Sequence, residues 1–261
     1  MTTVNFTIDG RPVSCERDAM LLEVALAHGI RIPALCYHQA QPPYGACRLC
    51  LVEITQGRWN WVTAACTYPV RDNGIEVQTD SEKVRRYRRL NLELLLARAP
   101  ESEELRDMAR ELGLERPRVP EDGEGRCIQC GLCVAVCGNL VGVGAIGFVG
   151  RGPQRRVETP YGEPSEVCIG CGACAEVCPT GHISIVDDLQ AMTREVRPFH
   201  TTHRLIRCPE CGRGFVTEKQ LEHLRAQLGE RAGVVEACPI CRGRRRAVEL
   251  YRHFAESIDS Q

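Results

Sequence analysis

The N-terminal residues alternate hydrophobic and polar positions in a way that predicts short β-strands. Hydrophobic side chains occupy every second position of residues 4–8, and Asp9-Gly10 follows as a hairpin turn into a second strand. Residues 20–27 have the spacing of an amphipathic helix, which Gly29 ends. The pattern therefore predicts a small β-rich domain over residues 1–80.

The rest of the chain changes character several times. Residues 81–114 are charged and leucine-rich, which predicts two helical stretches with a break near Ala99-Pro100. A polar linker is expected at residues 121–125, followed by an internal repeat of two cysteine blocks over residues 126–187. Residues 204–256 hold two C-P-x-C turns that flank a helical segment.

Cysteine is the residue that changes this picture most, because the 261-residue chain contains 17 of them, mostly in tight groups. The sequence has no run of 18 apolar residues, which a membrane-spanning helix would need, and no secretory signal is visible. We therefore expect a cytoplasmic, reducing location. Clustered thiols there are metal ligands rather than disulfides. A net charge of −1 argues against a nucleic-acid partner.

The first cysteine group has the spacing C-x10-C-x2-C-x15-C. A 2Fe-2S cluster needs two thiolates on each iron, and a long loop that brings one cysteine to a close pair, with a fourth returning later, meets that need. Zinc is disfavoured because zinc sites usually combine two short C-x-x-C turns. The group is Cys36, Cys47, Cys50 and Cys66.

The internal repeat carries the spacing of a two-cluster bacterial ferredoxin. In that pattern three close cysteines hold three corners of a 4Fe-4S cluster, while the fourth cysteine of each block binds the other cluster. Two zinc ions would have no use for such crossed ligation. We therefore expect one cluster on Cys127, Cys130, Cys133 and Cys178, and a second on Cys168, Cys171, Cys174 and Cys137.

Three segments around the first cysteine group, residues 29–38, 45–53 and 65–70, resemble the N-terminal domain of the large iron–sulfur subunit of respiratory complex I. The diaphorase small subunits of NAD-linked hydrogenases share that domain, and residues 144–152 are similar to the same family. The resemblance extends over roughly residues 1–190. The family usually binds a further 4Fe-4S cluster through one histidine and three cysteines, but residues 67–126 contain neither residue type, so that cluster is expected to be absent here.

The resemblance implies partner proteins rather than an active site in this chain. It implies an NAD(P)H-oxidising flavoprotein subunit with a small 2Fe-2S companion at one end of the electron path. At the other end it implies a catalytic subunit such as a hydrogenase or formate dehydrogenase, in a complex that could bifurcate electrons. Residues 142–147 match G-x-G-x-x-G, but they follow a cysteine ligand and lead into a strand, so no nucleotide site is expected.

The C-terminal cysteines have the spacing C-x2-C-x26-C-x2-C. Two C-P-x-C turns favour a zinc ribbon, although a further 4Fe-4S cluster or a rubredoxin-like iron also accepts four thiolates. Nearby histidines at 200, 203 and 223 are interpreted as ordinary surface residues. The site consists of Cys208, Cys211, Cys238 and Cys241.

Together these patterns predict a modular α+β protein that carries electrons. The expected modules are a β-grasp 2Fe-2S domain at 1–80, a helical connector at 81–125, a two-cluster ferredoxin domain at 126–190 and a zinc-ribbon-like tail at 191–261. The chain is expected to be a non-catalytic electron-transfer subunit of an NAD(P)-linked oxidoreductase. The alternative is an iron–sulfur redox sensor that binds nucleic acid through its tail, which would need a helix-turn-helix or a broad basic face.

Overall fold

The computed structural model describes residues 2–114, 117–121, 123–229, 231 and 235–248. These residues form two compact units, which we call the first and the second unit. The first unit comprises the residues up to Gly142 together with Ile146–Glu158 and Cys174–His182, and the second comprises Val143–Ala145, Thr159–Ala173 and the residues from Ile183 onward.

The first unit begins with a five-stranded mixed sheet and one helix. The sheet has the order β2-β1-β5-β3-β4, in which β1 and β5 are parallel and the other neighbours are antiparallel. The elements are β1 (Thr3–Ile8), β2 (Arg11–Glu16), α1 (Leu21–Ala27), β3 (Leu51–Gln56), β4 (Trp59–Ala64), the 3-10 turn Ala65–Thr67 and β5 (Glu76–Gln78).

The alternation seen in the sequence places one face of β1 in the core of this domain. Val4, Phe6 and Ile8 are buried there, and Leu21 and Leu22 of α1 pack against them. Burying a side chain of this size contributes about 1.5–3 kcal/mol, so the sheet face and helix hold each other in place. The predicted hairpin turn is confirmed, since Asp9 and Gly10 both have positive φ.

Two helices follow the sheet, as the charged, leucine-rich segment predicted. They are α2 (Glu82–Arg98) and α3 (Glu103–Glu111), and the break falls at the expected Ala99-Pro100. Each helix is preceded by an N-cap serine whose hydroxyl accepts a hydrogen bond from the third residue of the helix: Ser81 from the Val84 N–H and Ser102 from the Leu105 N–H.

The repeat region consists of short elements around its cysteines. They are α4 (Leu132–Ala135) with the π-helical turn Val136–Leu140, the antiparallel pair β6 (Gly147–Val149) and β7 (Arg156–Glu158), the 3-10 turns Gly152–Gln154 and Pro160–Gly162, and α5 (Ala173–Glu176). Strand β6 begins at Gly147, the last glycine of the G-x-G-x-x-G run, where a dinucleotide fingerprint would require a helix.

The second unit is built on a four-stranded antiparallel sheet of order β11-β10-β9-β8. Its elements are β8 (Ser184–Asp188), β9 (Thr193–Arg197), β10 (Thr201–Arg207), β11 (Gly214–Thr217) and α6 (Glu218–Leu228). Strands β8 and β9 pair with each other, although the boundary predicted at residue 190 lies between them. Helix α6 lies between the two C-P-x-C turns, as predicted. Among the helices of the described ranges, none combines the length and hydrophobicity that crossing a bilayer requires.

Candidate metal centres

The four thiols of the first cysteine group lie in loops next to the five-stranded sheet, and all four are buried. Cys36 follows α1, whereas Cys47 and Cys50 belong to the loop that leads into β3. Cys66 lies in the 3-10 turn after β4, where the Ala65 N–H donates to the Cys50 carbonyl at 2.9 Å. The sheet therefore places a long loop, a close pair and a returning cysteine around one position.

These thiols interact as two pairs. The hydrogen bond from the Cys36 thiol lowers the pKa of Cys47 to about 6, and the one from the Cys66 thiol lowers the pKa of Cys50 to about 7. The pKa values of Cys36 and Cys66, the donors, are raised by the same hydrogen bonds. Two thiol pairs match a cluster that takes two thiolates on each of two irons, so this donor set fits a 2Fe-2S cluster.

Backbone shape in the ligand loop restricts which residues it accepts. Gly45 has φ +70°, and an added Cβ would lie 3.1 Å from the Thr67 methyl, so glycine is favoured there. Arg48, between Cys47 and Cys50, has φ +54°. Non-glycine residues in this left-handed region are uncommon and collect at functional sites.

The first block of the repeat lies wholly in the first unit together with Cys178. Burial raises the pKa of the thiols of Cys127, Cys130 and Cys133, to about 11 for Cys130, and the Cys178 thiol raises each of them further. The position of Cys178 thus brings the fourth thiol of the later block to the three thiols of the earlier one. Four thiols, two of them buried and two half-buried, are a donor set that fits a 4Fe-4S cluster.

The two cysteine blocks repeat each other in backbone conformation as well as in spacing. Gln129 and Gly170 occupy equivalent positions, with φ of +53° and +63°, and Gly131 and Gly172 both have φ +81°. Alternation of right- and left-handed residues turns successive N–H groups toward one point, which is the anion-binding arrangement of many iron–sulfur sites. The internal repeat is therefore confirmed.

The expected ligands of the second 4Fe-4S cluster are divided between the units. Cys137 and Cys174 belong to the first unit, and Cys168 and Cys171 to the second. Within the second unit, the loop between Cys168 and Cys171 is held by the sheet. Arg194 on β9 donates to the Gly170 carbonyl at 3.2 Å, and the Thr217 hydroxyl at the end of β11 donates to the Ile169 carbonyl.

The interpretation of His203 as a surface residue is wrong, since only 6% of it is exposed. Its ring packs on the same loop, because a Cβ added to Gly170 would lie 2.6 Å from His203 Cδ2. Burial lowers the pKa of His203, with Lys219 and Arg194 adding to the effect. His200, in contrast, is exposed beside Glu195. Strand alternation gave the signal, because His203 shares a face of β10 with buried Leu205.

The C-terminal cysteines form a compact tetrad. The four sulfurs of Cys208, Cys211, Cys238 and Cys241 lie within 4.8 Å of one another, and the Cys211 and Cys238 sulfurs are 3.7 Å apart. Within the described part of the chain, no other set of three cysteine sulfurs is this close. Backbone N–H groups of Cys238 and Cys241 donate to the sulfurs of Cys208 and Cys238 at 3.4 and 3.5 Å.

The tetrad has the donor set and size of a single-ion site. A tetrahedral ion with sulfur bonds of about 2.3 Å holds its sulfurs about 3.8 Å apart. Hydrogen bonding from the Cys238 backbone N–H lowers the pKa of Cys208 to about 6, whereas sharing a proton with the Cys238 sulfur raises the pKa of Cys241 to about 12. A cubane spreads its four thiolates over separate irons and so requires wider spacing.

Comparison with known protein families places both iron–sulfur regions. Residues 1–82 match the 2Fe-2S iron–sulfur cluster binding domain family, and residues 126–182 match the 4Fe-4S dicluster domain family. The chain therefore contains one 2Fe-2S domain and one 4Fe-4S dicluster domain.

Several known proteins are similar to most of this chain. NADPH-Fe(3+) oxidoreductase subunit alpha of Geobacter sulfurreducens is 35% identical over 239 residues, matching 82% of this chain and 27% of that protein. An NADH-quinone oxidoreductase subunit of Rhizobium meliloti is 30% identical over 270 residues, matching 92% of this chain and 31% of that protein. The similarity therefore extends beyond residue 190, farther than expected, and the chain spans about a quarter to a third of these relatives.

A solved structure also contains a chain that is similar to this one. The crystal structure of NAD+-reducing [NiFe]-hydrogenase in the H2-reduced state contains a chain that is 30% identical to this one, with a TM-score of 0.52, matching 60% of this chain and 74% of that one. NADP-reducing hydrogenase subunit HndD of Solidesulfovibrio fructosivorans is 31% identical over 214 residues, matching 69% of this chain and 36% of that protein. The chain therefore belongs to the family of iron–sulfur subunits shared by NADH-quinone oxidoreductases and NAD-linked hydrogenases.

Proposed function

We propose that this chain is the electron-transfer subunit of a multi-subunit NAD(P)-linked oxidoreductase, between an NAD(P)H-oxidising flavoprotein and a catalytic subunit. The proposed ligands are Cys36, Cys47, Cys50 and Cys66 for a 2Fe-2S cluster, Cys127, Cys130, Cys133 and Cys178 for one 4Fe-4S cluster, and Cys168, Cys171, Cys174 and Cys137 for another. When bound, the clusters supply one-electron redox chemistry, while the protein supplies position and shielding.

One observation carries this proposal: some ligands of each of the first two sites pack in a single core, although Cys50 and Cys66 belong to the core of the β-rich domain. Cys36 and Cys47 belong to the same buried hydrophobic cluster as Cys130, together with Leu49 and Leu92. The Cys47 thiol also raises the pKa of Cys130. Cysteines of the two groups thus lie in the same core, which supports direct transfer between the proposed clusters without a histidine-ligated cluster between them.

The chain's own residues support a role in transfer rather than in substrate chemistry. The thiols of both neighbouring sites are buried or half-buried, which keeps water from a bound cluster. Leu49, Leu92 and Leu132 are buried in the shared core. Such packing fixes the positions of the ligands. An electron carrier needs this because electron transfer is fast when the cofactors are close together and when the site changes little on reduction.

For the C-terminal tetrad we propose one structural zinc ion. The close approach of its four sulfurs supports a single ion over a cubane, and two C-P-x-C turns are typical of zinc ribbons. Within the described residues the hydrophobic core around it is small and lacks the exposed Cys211, consisting of Cys208, Cys238, Cys241, Ala237 and the partly buried Phe215. A bound ion would supply folding energy that so small a core lacks.

The proposal is tested by separating the chain from its partners. The purified, cluster-loaded chain is expected to show no NAD(P)H-dependent dye reduction, and to gain that activity when the flavoprotein subunit is added. A matched variant, Cys47→Ser, should lose the added activity because its 2Fe-2S cluster lacks a ligand. Dye reduction by the pure chain at the rate of the complex would contradict the carrier function.

A further inference from the structure

Helix α2 carries a buried cation that belongs to none of the proposed ligand sets. The Arg88 side chain is 4% exposed, although the helix around it is rich in exposed arginines. Its guanidinium donates three hydrogen bonds to backbone carbonyls: Nε to Leu49 at 2.9 Å, and Nη2 to Leu51 at 2.9 Å and Thr79 at 3.1 Å. Leu49 and Leu51 flank Cys50, so the Arg88 side chain binds the ligand loop on both sides of that cysteine.

A second side chain of the same helix also binds the backbone of the ligand loop. Asn91, one turn after Arg88, donates from Nδ2 to the Arg48 carbonyl at 3.0 Å. Arg48 is the residue held at φ +54° between Cys47 and Cys50. The helix therefore binds the carbonyls of three of the four residues from Arg48 to Leu51, including the one whose backbone is least favourable by itself.

The charge of Arg88 is only partly balanced within the protein. Its nearest carboxylate is Asp80, at 3.8 Å, which is half-exposed and makes a closer ion pair with Arg85 at 2.5 Å. Arg194 in the second unit, by comparison, forms a two-bond pair with Asp187 at 2.7 and 2.8 Å. Arginine stays protonated under all ordinary conditions. A net positive charge therefore remains buried beside Cys50.

We propose that Arg88 is a positioning residue for the 2Fe-2S cluster, which holds the ligand loop through its carbonyls and makes the cluster easier to reduce. Reduction adds one electron and one negative charge to the cluster, without a proton or a new bond. A fixed cation in a low-dielectric surrounding stabilises that added charge and so raises the reduction potential. This inference rests on the proposed ligand set Cys36, Cys47, Cys50 and Cys66.

The test compares four forms of the full-length chain, each loaded with its clusters: wild type, Arg88→Gln, Arg88→Lys and Arg89→Gln. Arg89 is the matched control, because it is next on the same helix, is exposed and donates to the Leu112 carbonyl instead. The 2Fe-2S midpoint potential is read from its EPR signal, with dithionite as the electron source and soluble mediators. The loaded fraction is read from the spin intensity.

Arg88→Gln is expected to weaken the reduction equilibrium of the cluster at least tenfold, which lowers the midpoint potential by about 59 mV for a one-electron couple. Arg88→Lys keeps the charge but lacks the forked donor, so its potential should stay near wild type while its loaded fraction falls. Arg89→Gln should match wild type in both readouts. If Arg88→Gln does not load at all while Arg89→Gln does, the positioning role is supported.

Two results would overturn the proposal. One is an Arg88→Gln variant with the same potential and the same loading as Arg89→Gln. The other is equal loss of the cluster in Arg88→Gln, Arg88→Lys and Arg89→Gln, which would mean that the helix merely tolerates no substitution. A wild-type chain without any 2Fe-2S signal would instead contradict the proposed ligands, and this inference with them.

Discussion

Replacing Leu92 by alanine tests the idea that one packed core holds the first two cluster sites. Leu92 lies on α2, is fully buried, and packs in the cluster that contains Cys36, Cys47 and Cys130. Truncating a buried leucine to alanine costs about 3 kcal/mol or more, because transfer energy is lost and a cavity remains. Here the cavity would open beside ligands from two sites, so both clusters should be released together.

The expected shift of the thermal midpoint follows from the size of the first unit. For a unit of this size, about 3 kcal/mol corresponds to an unfolding midpoint lower by about 6–12 °C, and cluster loss should shift in the same direction. The assay follows the visible absorbance of the clusters under anaerobic conditions at a fixed heating rate, because release is irreversible. Leu94→Ala is the matched control, since Leu94 lies one half-turn away on the same helix and is 51% exposed. Its midpoint should move by no more than about 2 °C.

Equal shifts in Leu92→Ala and Leu94→Ala would contradict the packing of ligands from two sites around Leu92. So would loss of the 2Fe-2S EPR signal in Leu92→Ala while the EPR signal of the cluster on Cys127, Cys130, Cys133 and Cys178 stays unchanged at the same temperature, because Leu92 packs in the cluster that holds ligands of both sites. The metal of the C-terminal tetrad serves as an internal reference, since Leu92 belongs to the first unit and the tetrad to the second. Its content should not change.

Two further predictions concern the other centres. Cys178→Ser should remove the cluster of Cys127, Cys130 and Cys133, and Cys137→Ser should remove the later cluster. EPR spectra of the two variants measure this. The crossed ligation would be wrong if Cys178→Ser lost the cluster of Cys168, Cys171 and Cys174 and kept the other. Zinc affinity of the tetrad should fall as the pH falls, because Cys241, with a pKa raised to about 12, must lose a proton on binding. The fall should steepen below about pH 6, where Cys208 also becomes protonated. Competition with a chelator across this range measures it, and a pH-independent affinity would contradict it.

The elements around the first site could be predicted because local patterns determine them. Alternation in β1, the Asp9-Gly10 turn and the helix break near Ala99 all depend on residues close in sequence. Cysteine spacing pointed to the repeat, which the matching φ angles of Gln129 and Gly170 confirm. These features need no knowledge of what packs against them.

Buried polar residues could not be predicted in the same way. Arg88 is one of five arginines in a highly charged helix, which indicates a solvated surface. The one signal was spacing, because Val84 and Leu92 are buried four residues before and after Arg88 and place it on their face. What Arg88 binds there is set by the long-range packing of α2 on the loop before β3. His203 was missed for the same reason, since its burial depends on the loop that contains Gly170.

We propose that this chain carries electrons on three clusters while its C-terminal ion is redox-silent. An anaerobic reductive titration of the full-length chain, isolated from any partner, tests this most directly. With all sites loaded it should take up about three electrons per chain, one for each cluster, while one zinc per chain remains bound. Uptake of about four electrons by a zinc-free chain would contradict the assignment of the tail. Uptake of fewer than one electron by an iron-loaded chain would contradict the electron-transfer function itself.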